Sequence, residues 1–345
     1  MANPDVPLPA ANPRAPLLRR LPVISHYTRS VGLQRGMLVA GLVLTGAFVL
    51  TALFAPLLAP YGYSQLSDDD GNFPTQQAPG GKHLLGTTVG GYDVLSRVIW
   101  GAQTAILVIV VAVAMSIVIG VVLGLVSGYL GGWLDRILVV VADAVYAFPS
   151  LLVAIVMAIV ISGGQSSLVG GIFAAGTAIT LVFIPQYFRV IRAETVRLKA
   201  EPFVESAKVV GASNIRIMGR HIYRNATRTL PLIFTLNASE AILTLAGLGF
   251  LGFGIEPSSA AEWGFDLNKA LADTTSGIWW TGLFPGMAIV LTVVGLTLVG
   301  ESINDLNDPR LRGRKSAAGK VTPGPAAAGS GSAAQAAIET EVRGS

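Results

Sequence analysis

Six mostly apolar runs, at about 37–59, 102–127, 136–161, 168–190, 230–253 and 283–303, constrain this chain more than any other feature. A bilayer core is crossed by roughly 20 apolar residues in a helix. Inside it every backbone polar group must be satisfied within the segment, which favours helices. The runs therefore predict an all-α polytopic membrane protein with six transmembrane helices. Composition agrees: 52% of the residues are hydrophobic and 13% are charged, against about 25% charged in ordinary soluble domains. The first run, Met37–Ala59, has 23 residues and follows a long basic leader. It exceeds a signal-peptide apolar region and reads as an uncleaved span.

Six spans put both termini on one side, and positive charge says which. With the N-terminus inside, 21 of the 24 Lys and Arg fall in inner segments; only Lys82, Arg97 and Lys269 fall outside. Cytoplasmic segments carry the positive excess. The expected organisation is a cytoplasmic N-terminal segment (1–36), a transmembrane domain (37–313) and a disordered, Ala/Gly/Ser/Pro-rich cytoplasmic tail (314–345). Residues 60–100 read as a hydrophilic outer loop. Its Asp68–Asp70 run lacks the alternating ligands and closing Glu of a calcium loop. The outer loop 255–282 carries Trp263, Trp279 and Trp280, which suit a membrane interface.

The same topology places the polar stretch Glu201–Arg224 in the cytoplasm. Phe203, Val204, Ala207 and Val210 recur at helical spacing and predict a first amphipathic helix. Gly211 suits its C-cap and Ser213 the N-cap of a second helix. On that helix Ile215, Met218 and Ile222 form the expected apolar stripe. Two short amphipathic helices can dock on a partner protein or lie on lipid, and periodicity alone leaves both open. Glu205 can equally be a solvated charge pairing with Lys208.

Gly120, Gly124, Gly128 and Gly132 recur every four residues and predict one helix face open to close approach by another helix. Gly247, Gly249, Gly252 and Gly254 predict a similar thin region. The chain has no phosphate-binding loop, no cysteine and no cluster with metal-ligand spacing. Asp143 and Glu240 are the ionisable residues at membrane depth, and such groups are functional candidates. Each can instead bond a neighbouring helix. What remains is a membrane pathway energised elsewhere through a cytoplasmic docking loop, with a stand-alone secondary carrier or channel as the other class.

These residues resemble the permease subunits of binding-protein-dependent ABC importers, whose cytoplasmic motif E-A-A-x-x-x-G stands here as Glu205-Ser206-Ala207-x-x-x-Gly211. The flanks are similar to the C-type subunits of dipeptide and oligopeptide importers. Gly211-Ala212-Ser213 and Arg220-His221-Ile222 match that pattern, while Tyr223 and Arg224 replace its Leu-Pro. "HLLGTTVGGYDVLSR" (83–97), "GYLGGWLDR" (128–136), "AFPSLL" (147–152), "LGFLGFGIEP" (248–257), "EWG" (262–264), "FPGMAIVLTV" (284–293) and "NDPRLR" (307–312) also resemble the family, in its order.

The resemblance implies a multi-pass subunit of a bacterial cytoplasmic membrane that forms half of a peptide pathway, without ATPase activity of its own. Its partners would be a homologous B-type permease, two cytoplasmic ATPases that bind ATP and Mg, and an extracytoplasmic substrate-binding protein, besides membrane lipid; no nucleic acid is implied. The coupling contacts would come from Glu205, Ser206, Ala207, Gly211, Ile215 and Met218, with Asp143 and Glu240 as candidate pathway residues. Nickel, glutathione and haem importers share the architecture.

Overall fold

The structure, a computed structural model, describes residues 33–162 and 168–307. Most of the predicted N-terminal segment, and all of the predicted tail, lie outside them. Among the described residues the fold is all-α apart from a hairpin, β1 (Ser67–Asp68) paired with β2 (Gly71–Asn72). The long helices are α1 (Leu33–Leu53), α2 (Val94–Leu130), α5 (Leu168–Lys199), α7 (Leu230–Phe250) and α9 (Trp280–Asn307). Each contains a stretch long and apolar enough to cross a membrane. The inner ends of these helices are those that the charge asymmetry assigns to the cytoplasm.

The predicted third span is not one helix. It is α3 (Gly132–Tyr146) and α4 (Ser150–Ser162), bent by 97°. Pro149 supplies the break, because it lacks an N–H and pushes Phe148 out of the helical region. With this bent pair the candidate spans among the described residues number six.

The predicted glycine face is the main helix contact. A Cβ at Gly120 would lie 2.5 Å from Tyr187 Cβ, one at Gly124 2.9 Å from Ile191 Cβ, and one at Gly128 2.8 Å from Thr195 Cβ. These partners all lie on α5, so three turns of α2 meet α5 backbone to backbone. Gly132 is the exception. Helix α2 ends at Leu130, and Gly131 and Gly132 have φ of +68° and +71°. Gly132 meets nothing within 4 Å and serves the turn into α3. A second close approach joins α1 to α9, through Gly41 against Leu298 and Gly295 against Leu44.

The outer segment 60–93 is folded, not merely solvated. Its acidic run is held by Lys82, which pairs with Asp68 and Asp70. His83 Nδ1 lies 2.9 Å from Asp93 Oδ1, and both residues are buried. The other Asp93 oxygen accepts from Ser96 N at 2.8 Å and so caps α2, which is why that helix starts ahead of the predicted run.

Trp263 departs from its expected place at the interface. It is buried, and its Nε1 donates to Val98 O at 3.0 Å. It opens a further outer helix, α8 (Trp263–Thr275). Trp279 is exposed, and Trp280 Nε1 donates to Thr87 O at 3.2 Å.

Gly124→Ala should therefore destabilise the protein by about 1–3 kcal/mol, the usual cost of overpacking. Gly46, where a methyl group would meet nothing within 4 Å, is the control. Thermal unfolding in detergent should separate Gly124→Ala from Gly46→Ala by several degrees; equal midpoints would remove the close-packing assignment.

Candidate functional site

The cytoplasmic stretch begins with α6 (Pro202–Val209), where Pro202 suits the first turn. Gly211, at φ +83°, ends it. Its N–H donates to Lys208 O at 2.9 Å and that of Ala212 to Ala207 O at 3.0 Å, the Schellman pattern. Ser213 Oγ accepts from Arg216 N at 3.4 Å and opens the α-turn Asn214–Arg216, as predicted.

The predicted stripes need correction. Val204 is fully buried and Ala207 partly so, while Phe203 and Val210 face outward. After Arg216 the chain forms a π-helix, Ile217–Ile222. Its i→i+5 bonds bring residues five apart onto one face. Ile217 and Ile222 are both fully buried, Met218 is partly packed beside them, and Ile215 turns outward. A 3.6-residue period could not anticipate Ile217.

The buried side of this loop packs on Val121, Leu125 and Tyr129 of α2 and on Ile191 and Leu198 of α5. Tyr129 Oη donates to Asn214 Oδ1 at 2.8 Å, and Lys199 Nζ donates to Tyr129 O at 2.6 Å. Nearby, Arg192 grips Asp135 with two hydrogen bonds of 2.6 and 2.7 Å, tying α5 to α3. The loop is thus fastened to the two helices that the glycine face locks together.

Its outer side is different. Val209 and Val210 are each 88% exposed and Ile215 is 80% exposed, around the Gly211 turn. Glu205 and Ser206 are exposed beside them, with Ser206 Oγ donating to Pro202 O at 2.9 Å. Glu205 forms no ion pair with Lys208 among the described residues. Of the predicted coupling residues, the structure brings Glu205, Ser206, Gly211 and Ile215 to the exposed side and turns Ala207 and Met218 inward.

The two candidate pathway residues both lie near Tyr146 but differ in their pairing. Asp143 on α3 pairs with Arg189 on α5 at 2.6 Å, and that guanidinium stacks 4.2 Å from the centre of the Tyr146 ring. Glu240 on α7 lines a hollow of about 150 Å³ with Tyr146, Ser150, Val182 and Gln186. It is exposed and has no hydrogen-bond or ion-pair partner among the described residues. The bend between α3 and α4 opens this hollow, since Tyr146 and Ser150 flank Pro149.

The outer cap carries further buried ionisable groups, outside the predicted site residues. Arg97 Nε donates to Asp266 Oδ1 at 2.7 Å and its Nη1 to Tyr63 O at 3.0 Å. Glu262 caps α8, accepting from Gly264 N at 2.8 Å and Phe265 N at 2.7 Å. It sits against Gly249 and Gly254, where a Cβ would collide with it. The predicted glycine thin spot therefore makes room for this carboxyl. Burial pushes Glu262 up to about 8, against the pull of its two backbone donors. The signal was in the quoted "EWG" and "LGFLGFGIEP" stretches, but pairing them needs the turn from α7 to α8.

Residues 120–313 match the family described as binding-protein-dependent transport system inner membrane component. Residues 33–79 match the N-terminal TM domain of oligopeptide transport permease C. The chain is 35% identical over 309 residues to the glutathione transport system permease protein GsiD of Salmonella typhimurium, covering 87% of this chain and 98% of that one. It is 36% identical over 265 residues to GsiD of Shigella flexneri, covering 77% and 84%.

The chain belongs to this family. It is a permease subunit of an ABC importer, a multi-pass protein of the inner membrane. The family implies ATPase and binding-protein partners and a second permease. In this permease the expected all-α polytopic architecture holds, with the third span bent.

The raised Glu262 carboxyl sets a pH dependence. Its folded pKa of about 8 exceeds its ordinary value of 4.5, so the folded state holds the extra proton between those values. Stability contributed by the neutral group is full below the ordinary value and is lost as pH rises through about 8. Glu262→Gln should flatten the fall of the melting temperature across that window, measured in detergent at fixed salt. An unchanged slope would show that another group carries it.

Proposed function

We propose that this permease carries short peptides, glutathione among them, and that the Glu201–Arg224 loop receives the stroke of a separate ATPase. The observation that carries the coupling reading is the exposed apolar tip, Val209, Val210 and Ile215, on a loop packed against α2 and α5. Apolar residues so exposed at a cytoplasmic turn suit a groove on a partner protein. Their rigid attachment to α5, which also bears Gln186 and Arg189, gives displacement of the tip a direct route to the hollow. Lying on lipid fits less well, because the exposed apolar residues cluster at a tip and do not run along one face.

Glutathione and linear peptides share a free ammonium group and carboxylates, so the relatives' named cargo and the peptide reading converge on one chemistry. Glu240 offers an unpaired carboxylate to an ammonium group inside the hollow. The Asp143–Arg189 pair can open to offer a guanidinium to a carboxylate. An exposed carboxylate at the centre of a membrane helix is costly against lipid, which supports a wet pathway there. The expected assembly is a B-type permease, two ATPases and an extracytoplasmic binding protein, with ATP and Mg held by the ATPases and no ATPase activity in this chain.

Uptake by the reconstituted importer tests both parts. Gly211→Asp and Glu205→Ala should lower transport per ATP hydrolysed while membrane insertion persists. Val210→Asp should weaken co-purification of the ATPases. Glu240→Gln should raise KM for a labelled dipeptide or glutathione by about tenfold, the scale of one charged hydrogen bond, with ATPase coupling kept. Full ATP-driven uptake in both coupling-loop variants would remove the docking assignment. An unchanged KM for both cargoes would remove Glu240 from the pathway.

A further inference from the structure

A second cavity, of about 260 Å³, lies in the outer cap. It shares no lining residue with the Glu240 hollow. Its walls come from the turn Thr88–Tyr92, from the segment ahead of α8, from α8 and from the start of α9, and are mostly apolar, with Val89, Tyr92, Pro257 and Phe265 among them. Two buried carboxylates, Asp266 and Asp273, also line it.

One oxygen of each carboxylate there has no hydrogen-bond partner. Asp266, 8% exposed, has Arg97 on Oδ1, and its Oδ2 accepts nothing. Asp273 is 1% exposed; its Oδ1 accepts from Gln76 Nε2 at 2.7 Å, and its Oδ2 accepts nothing. No described cation pairs with Asp273. It also sits in the last turn of α8, where the helix presents its carbonyl ends and disfavours a negative charge. Lys269, one turn away, also lines the cavity, but its Nζ rests over the Phe265 ring, 5.2 Å from the centre, and pairs with neither carboxylate. A buried carboxylate without a counter-charge is costly unless something cationic completes it.

We propose that this cavity binds an organic monocation, a primary ammonium or guanidinium group on a short hydrocarbon stem. The head group would meet the free oxygens of Asp273 and Asp266, and the stem would lie along the apolar walls, as Lys and Arg stems do elsewhere. A metal ion fits poorly. No group of three ligating side chains occurs among the described residues, and hard cations need six or more oxygens. The volume holds one extended side chain or small amine. The site stands independently of the peptide reading, since it rests on the outer cap alone.

The test uses the full chain in lipid nanodiscs with n-butylguanidinium as probe, followed by equilibrium dialysis and thermal shift. Saturable binding is expected, with none for the neutral isostere n-butylurea. Asp273→Asn should weaken it by about tenfold. Val89→Trp, which fills the exposed mouth and leaves both carboxylates in place, should abolish it while the protein still melts cooperatively. No saturable binding, or equal binding by both variants, overturns the proposal. Binding that appears only after Lys269→Ala also overturns it, by making Lys269 the occupant. In the reconstituted importer, competition of the probe with binding-protein-stimulated ATPase activity would identify the natural cation as a side chain of that partner. Probe binding without competition would identify a free amine.

Discussion

Backbone-to-backbone contact between α2 and α5 is what the rest of this permease depends on. In lipid, helices gain little from burying apolar side chains against one another, so close packing has to supply the association. Gly120, Gly124 and Gly128 provide it by letting Tyr187, Ile191 and Thr195 approach to where a Cβ would collide. The two helices then act as one beam. At its inner end that beam carries the cytoplasmic loop, and along α5 it carries Gln186 and Arg189, beside the Tyr146–Glu240 hollow.

The loop is built to be stiff on one side and available on the other. A Schellman turn at Gly211 and a π-helical turn at Ile217–Ile222 set the two faces. The inner face is bolted to the beam by Val204, Ile217 and Ile222, with the Tyr129–Asn214 hydrogen bond beside them. The outer face leaves Val209, Val210 and Ile215 in solvent. Under the proposed coupling, a displacement applied to that tip would pass to α2 and α5, on which the inner face packs. At the opposite end, Asp93, Glu262 and the Arg97–Asp266 pair hold the outer cap rigid, so the beam is anchored by polar contacts at both membrane faces.

Much of this could be read from residues alone. Span number, the glycine face, the Gly211 and Ser213 caps and the helical character of the 201–224 loop follow from hydropathy, charge and local turn chemistry, which act over a few residues. Other features did not follow. The third span looked continuous because hydropathy is blind to a bend, although Pro149 marks it. Ile217 fell outside the predicted stripe because a π-turn changes the period. Asp143 and Glu240 looked alike in sequence, but one is paired with Arg189 and the other is free, since pairing depends on which helix faces which.

The sequence by itself determined that the chain crosses a membrane, which way it faces, and that it lacks a phosphate-binding loop. Those properties depend on composition and charge counted along the chain. Tertiary structure alone decided which apolar residues of the loop remain exposed. It also placed Gln76 beside Asp273 and Arg97 beside Asp266, across 197 and 169 residues of sequence. Nothing local fixes such pairs. They form because the packing of the helices brings the outer segments together, and buried polar groups there must find partners.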